Sequence, residues 1–188
     1  MGLAVDHVTN VLVVVAHPDD ESLGMGGTIR RLTSSGKAHV SIASLGDGVS
    51  SRSIAESDDM IERWRQFDRA CHVLGCLRIS YILDPLADNR FDAVPLLNIV
   101  RRVEDIISRE RPVAVYTHSS ADLNIDHRRT HEAVRVATRP GSSQYARNVF
   151  AFETPSSTEW GPSQFAPTVF VDVTRTLEAK LAAVDCYV

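Results

Sequence analysis

The 188-residue chain sets 20 Lys and Arg against 24 Asp and Glu, a formal net charge of -4, so it lacks the broad basic face that nucleic acid selects. Hydrophobic residues at 44% and charged residues at 23% exclude a disordered or membrane-embedded chain, and the length suits one domain, residues 1–188, with a core that needs no staples. The same charge balance favours a small neutral or modestly charged molecule as partner. Cys71, Cys76 and Cys186 follow no zinc-ribbon or Cys-x-x-Cys spacing, which points to buried thiols in a reducing, cytoplasmic compartment.

In chain order, Met1 to Asn10 lacks a basic n-region, and the apolar run Val11–Ala16 is too short for a signal core or a membrane span. That run is continuously apolar and rich in β-branched valine, as in a strand buried on both faces of a parallel sheet. A helix follows over Glu21–Ser34, then a strand over His39–Leu45 and a helix over Asp58–Leu74 with Gly75 as its C-cap. Next come a strand at Arg78–Leu83 and a helix at Pro95–Glu110, whose Leu96, Leu97, Val100, Val103, Ile106 and Ile107 form an apolar stripe. A strand at Val113–Thr117, a helix at Asp126–Ala137, strands at Asn148–Glu153 and Thr168–Val173, and a helix from Thr174, capped by Thr174 or Asp172, complete the list. Strands alternating with helices predict an α/β fold. Two loops that follow strands, Asp84–Asp92 and Thr154–Ser163, would project from the carboxyl edge of the sheet, where ligands bind in open α/β folds.

The first concentration of chemistry is His17-Pro18-Asp19-Asp20-Glu21, where strand one gives way to a helix. One imidazole and several carboxylates beside a buried strand are suitable ligands for zinc or another divalent ion. Capping the helix would need one such residue, not four. Gly24, Gly26 and Gly27 invite a dinucleotide reading, with Asp47 as the ribose acceptor. The fingerprint would require glycine at Ile29, however, and no carboxylates where a pyrophosphate should sit. Close packing of the helix explains these glycines better.

The second concentration is Asp122-Leu-Asn-Ile-Asp-His127, with His131 one turn further on. His127 and His131 are spaced i,i+4 and share a helix face, so either or both could reach a metal. Asp126 could cap the helix or accept the second N–H of a metal-bound imidazole.

Together, Ala16-His-Pro-Asp-Asp-Glu21 and Asp122-Leu-Asn-Ile-Asp-His127 resemble the two signatures of the LmbE-like, or PIG-L, family of zinc N-deacetylases. Gly46-Asp-Gly48, Pro85 to Asp92, Thr138-Arg-Pro140 and Ser156 to Trp160 extend the resemblance over most of the chain. The resemblance implies a Rossmann-like three-layer fold with a mostly parallel central sheet and helices on both faces. It also implies one zinc ion per chain on His17, Asp20 and His127, with Asp19 as general base and Asp126 and His131 outside the ligand set. The implied reaction is hydrolysis of the acetamide of an N-acetylglucosamine-type sugar or glycoconjugate. Arg63, Asp88 and Asn89 resemble positions near the sugar, and Arg52 could reach a phosphate or uronate.

Asn124 departs from the family pattern, since a histidine often stands there. Asn can donate a hydrogen bond but cannot titrate, which leaves Asp19 as both base and acid. Members of the family usually continue beyond the position of Val188, so the resemblance carries no expectation for contacts from that further region. A nucleotide- or metabolite-binding Rossmann domain without catalysis, or an amidase of the same fold acting on a thiol conjugate, are the competing expectations. The sequence is also compatible with a homo-oligomer.

Overall fold

The computed structural model describes residues 8–51, 57–79, 84–140 and 146–187. Five strands, β1 (Thr9–Val15), β2 (Ala38–Ser44), β3 (Leu77–Arg78), β4 (Ala114–His118) and β5 (Asn148–Phe152), form one sheet in the order β3-β2-β1-β4-β5, every pairing parallel. The helices are α1 (Asp20–Ser34), α2 (Ser57–Leu74), α3 (Leu96–Glu110), α4 (Ile125–Ala137) and α5 (Leu177–Val184). This is the expected α/β fold with a parallel sheet.

The β-branched run in β1 divides between two cores because successive side chains point to opposite faces. Leu12 and Val14 pack with Ile99, Val103 and Ile107 of α3 and Val134 of α4. Val11, Val13 and Val15 pack with Ile29 of α1, Phe67 and Leu74 of α2 and Ala183 of α5. Burial of each such side chain contributes about 1.5–3 kcal/mol, and β1 is thereby the most firmly held strand. The order in which strands are added reverses at β1: β2 and β3 lie to one side, β4 and β5 to the other, all running the same way. The crevice at this switch point opens at the carboxyl ends of β1 and β4, where α/β folds bind ligands.

Three expected elements differ. In α3 the buried stripe is Ile99, Val100, Val103, Ile106 and Ile107, while Leu97 is 55% exposed, because Ile99 takes the core-facing position. Strand β3 is only Leu77–Arg78, and residues 80–83 lie outside the described set. Thr168–Val173 is not a strand: among the described residues no ladder pairs it, and Phe170 is 80% exposed. Its C-terminal end is tied to α1, with Arg31 Nη1 donating to Asp172 O at 2.5 Å and Val173 seated over Gly27. Pro167 has no N–H for a ladder, and a groove of about 470 Å³ is lined by this segment and β5.

Gly75 follows α2 at φ 72 with its N–H on His72 O, as expected. One boundary shifts: α5 begins at Leu177 with Thr176 as its N-cap, and Thr174–Thr176 is a 3-10 turn before it, where Asp172 Oδ1 accepts from Thr174 N at 2.9 Å.

Candidate metal centre at the carboxyl edge of the sheet

β1 runs straight into His17, and the turn through Pro18 and Asp19 starts α1 at Asp20. β4 ends on His118, and the loop beyond it starts α4 at Ile125, with Asn124 as N-cap: Asn124 Oδ1 accepts from Asp126 N at 2.8 Å. Two neighbouring strand ends thus deliver both concentrations of polar residues to one place. His17, Asp20 and His127 each offer a ligand atom within 4.8 Å of the others, and all three are buried. His17 Nδ1 is 3.7 Å from Asp20 Oδ2, and His127 Nε2 is 3.2 Å from Asp20 Oδ1.

Two overlapping groups also bring carboxylates and imidazoles together, His118 with Asp122 and His127, and His17 with Asp88 and Asp126. Hydrogen bonding distinguishes them. His118 Nε2 accepts the N–H of Ala16 at 3.0 Å, so its lone pair is spent, and Nδ1 faces Thr154 Oγ1 at 3.2 Å. Asp122 already accepts from Asn124 N and from the hydroxyls of Ser157 and Thr158. Asp126 accepts from Asn89 N at 2.6 Å, from Phe91 N at 2.9 Å and from His17 Nε2 at 2.9 Å. With its proton on Nε2, His17 keeps the Nδ1 lone pair toward Asp20, and a metal ligand oriented from its far nitrogen by a carboxylate is the common arrangement. Asp20 Oδ2 accepts from His17 N at 2.9 Å, and the atoms left to face one another without such a bond are His17 Nδ1, Asp20 Oδ1 and His127 Nε2, a donor set suited to zinc.

The charges are tightly linked. Burial alone would raise the Asp20 pKa, but His127 and His118 beside it hold its carboxyl well below the usual range. Burial opposes charge on His127, yet Asp20 and Asp122 push it up to about 10. Its Nδ1 lies 3.1 Å from Asp122 Oδ1 but outside hydrogen-bond geometry. For His17 too, burial lowers the pKa and is outweighed by Asp126, Asp20 and Asp88. His118 goes the other way: burial and the neighbouring His127 push it down to about 4. Its ring stacks on His127 at 3.9 Å.

Asp19 lines the same cavity, and its side chain keeps 36% exposure there. Burial, Asp20 and Glu21 push its carboxyl up to about 8, while Arg63, 3.4 Å from Oδ2, opposes them. A cation on the cluster acts in the same sense as Arg63. Asp19 has φ 121, a backbone state that L residues rarely adopt, and Asn89 at φ 54 and Ser156 at φ 72 line the cavity as well. Each such residue costs about 1–3 kcal/mol and persists where its surroundings impose it. Here Glu21, Asp126 and Glu159 take the N–H of the three residues in turn.

The cavity, about 1090 Å³, is open and also lined by Arg63, Asp88, Asn89, Asn124, Thr154 and Ser157. Asp88 is mostly turned inward, with Oδ1 3.2 Å from His17 Nε2. His131 is not brought to the cluster: its Nδ1 hydrogen-bonds His118 O at 2.8 Å. Asp126 serves the imidazole of His17 rather than that of its neighbour His127. Arg52 lies outside the described residues.

His118, the role of Asp122 beyond its place in the second motif, and the pairing of Glu21 with Tyr187 escaped the sequence reading. The position of His118 at the last residue of a strand feeding the site was a usable signal; the Tyr187 contact, 166 residues from Glu21, had none.

The features that suggested a nucleotide site have other work. Asp47 accepts from Val49 N, Ser50 N and Ser50 Oγ, closing its own turn. A Cβ on Gly24 would stand 2.5 Å from Phe152 Cδ2, and one on Gly27 2.7 Å from Val173 Cβ. These glycines let α1 pack against β5 and the C-terminal segment.

A family model described as GlcNAc-PI de-N-acetylase (PIG-L) matches residues 12–138. The chain is 31% identical over 179 residues to the uncharacterized deacetylase YaiS of Escherichia coli strain K12, covering 92% of this chain and 87% of that protein. It is 28% identical over 189 residues to the diacetylchitobiose deacetylase of Thermococcus kodakarensis, covering 94% and 68%. Among solved structures, the 4-carboxy-2-hydroxymuconate hydratase GalB of Pseudomonas putida KT2440 aligns with a TM-score of 0.72 at 26% identity, over 95% of this chain and 78% of that one.

Proposed function

Because the chain belongs to the GlcNAc-PI de-N-acetylase (PIG-L) family and is an amide hydrolase of the deacetylase class, we propose that it removes the acetyl group from an N-acetylated amino sugar or its conjugate, using one zinc ion. The observation that carries the proposal is the open donor set of His17 Nδ1, Asp20 and His127 Nε2 beside Asp19 in one cavity. His17, Asp20 and His127 would hold the ion, which when bound would lower the pKa of a water toward about 7 and offer positive charge to the amide oxygen.

Asp19 takes the proton of the attacking water on its carboxylate and returns it to the departing nitrogen as the amide C–N bond breaks. Acetate and a free amine result. Arg63, beside Asp19 Oδ2, steadies the carboxylate. Asn124 spends Oδ1 on its helix cap, which turns Nδ2 into the available donor for the amide oxygen as negative charge builds there. Asp126 holds His17 in the tautomer that ligation needs.

A sugar substrate is supported by the polar lining of the cavity, by room for more than one sugar ring, and by the name of the Thermococcus relative. The proposed location is the cytoplasm, in keeping with the thiols of Cys71, Cys76 and Cys186. No helix among the described residues is long and apolar enough to cross a membrane.

The test is acetate release from a panel of N-acetyl sugars, set against amine release from cysteinyl conjugates, together with the zinc content of the purified protein. Asp19→Asn should lower kcat by about 10²–10⁴-fold with zinc retained. A protein without stoichiometric zinc whose Asp19→Asn variant deacetylates as fast as the parent would refute the proposal.

A further inference from the structure

We propose that Glu21 and Tyr187 are positioning residues that hold Asp19 in its reactive pose from behind. The inference rests on Asp19 being the base of the proposed deacetylation.

Glu21 is fully buried and stands outside the metal donor set. A buried carboxylate needs donors to offset lost hydration, and Glu21 has three. Oε2 accepts from Asp19 N at 3.0 Å, and Oε1 accepts from Ser22 Oγ at 2.6 Å and from Tyr187 Oη at 2.7 Å. The first of these bonds reaches the residue with φ 121. Asp19 is gripped a second time, at its carboxylate, by Arg63 Nη1.

Tyr187 touches both holders: its hydroxyl is on Glu21, and the Arg63 guanidinium lies 5.6 Å from the centre of its ring. It follows α5, which packs against α1 and α2. Asp19 is the N-cap of α1, so the bond from its N–H to Glu21 also caps the helix, and the residue held by that cap is the one whose carboxylate faces the cavity. The geometry links backbone and side chain of that one residue through a single tyrosine.

Tyr187→Phe removes only the hydroxyl and leaves the ring beside Arg63. It should lower kcat by about 3- to 10-fold with KM, zinc content and melting temperature near the parent values. In an Asp19→Asn background the same change should alter the residual rate by less than about twofold, because the effect passes through Asp19. Glu21→Gln, nearly isosteric, should give the same kcat-selective loss and serves if Tyr187→Phe folds poorly.

A readout independent of turnover is hydrogen exchange at the Asp19 amide, which should speed up by about tenfold in Tyr187→Phe while Met25 in α1 is unchanged. Unchanged exchange, an unchanged kcat in an active protein, or an equal loss in the Asp19→Asn background overturns the inference. A parent protein that exchanges as expected but hydrolyses no amide leaves the positioning of Asp19 intact and overturns the deacetylase reading instead.

Discussion

Asp126 offers the sharpest perturbation of the site, because one fully buried carboxylate serves a loop and the imidazole of His17, a proposed zinc ligand, at once. Oδ2 accepts from Asn89 N at 2.6 Å and His17 Nε2 at 2.9 Å, and Oδ1 accepts from Phe91 N at 2.9 Å. Asp126→Asn preserves shape and removes one acceptor. Whichever way the amide turns, its NH₂ meets a buried donor, so at least one N–H is orphaned and the others lose a charged partner. Such losses cost about 1–3 kcal/mol each, and a total of about 2–4 kcal/mol is expected. For a chain of this length the melting temperature falls about 2–4 °C per kcal/mol, so the variant should melt on the order of 10 °C lower. The second consequence is separate: His17 loses the contact that keeps its proton on Nε2, and zinc affinity should fall about 10- to 100-fold. Thermal unfolding in chelator measures the first effect, and competition with a chromogenic chelator measures the second. If zinc affinity stays within about threefold of the parent, Asp126 does not set the His17 tautomer and the choice of Nδ1 as ligand atom is wrong.

Asn124→Asp keeps a good N-cap, so stability should stay within about 0.5 kcal/mol, but it removes the amide donor and should lower kcat by about 10²-fold; an unchanged kcat would exclude Asn124 from the reaction. Gly24→Ala places a Cβ 2.5 Å from Phe152 Cδ2 and 3.0 Å from Glu153 O, and the urea midpoint should report a loss of about 1–3 kcal/mol, which a glycine kept for nucleotide contact would not show. His118, with its pKa pushed down to about 4 by burial from an ordinary 6.5, is neutral in the fold. The unfolded chain therefore binds more protons than the folded one between those values, and this contribution to stability, complete above pH 6.5, is lost as the pH falls toward 4. His118→Gln should flatten that part of the pH dependence of unfolding in chelator, and an unaltered slope would count against the assignment.

Local features carried far. The β-branched run at Val11–Val15 had to be a strand covered on both faces, and it is, split between two cores. The helix boundaries at Ser34, Leu74, Glu110 and Ala137 were legible because apolar period and capping residues act within a turn or two. Thr168–Val173 misled for the complementary reason: its composition favours a strand, but a strand exists only if an edge receives it, and its C-terminal end is anchored on α1 instead.

By itself the sequence picked out the two polar concentrations, His17 to Glu21 and Asp122 to His127, because each sits where a strand gives way to a helix and such junctions fall at one edge of a parallel sheet; between His127 and His131 only the family resemblance chose. Tertiary structure alone decided how each is wired. That Asp126 serves His17 and not its neighbour, that the lone pair of His118 is consumed by Ala16 N, and that Tyr187 closes on Glu21 depend on distances between segments over a hundred residues apart. Hydrogen bonds act over about 3 Å and in set directions, so donor and acceptor roles at this site came into being only when the sheet order set β1 beside β4.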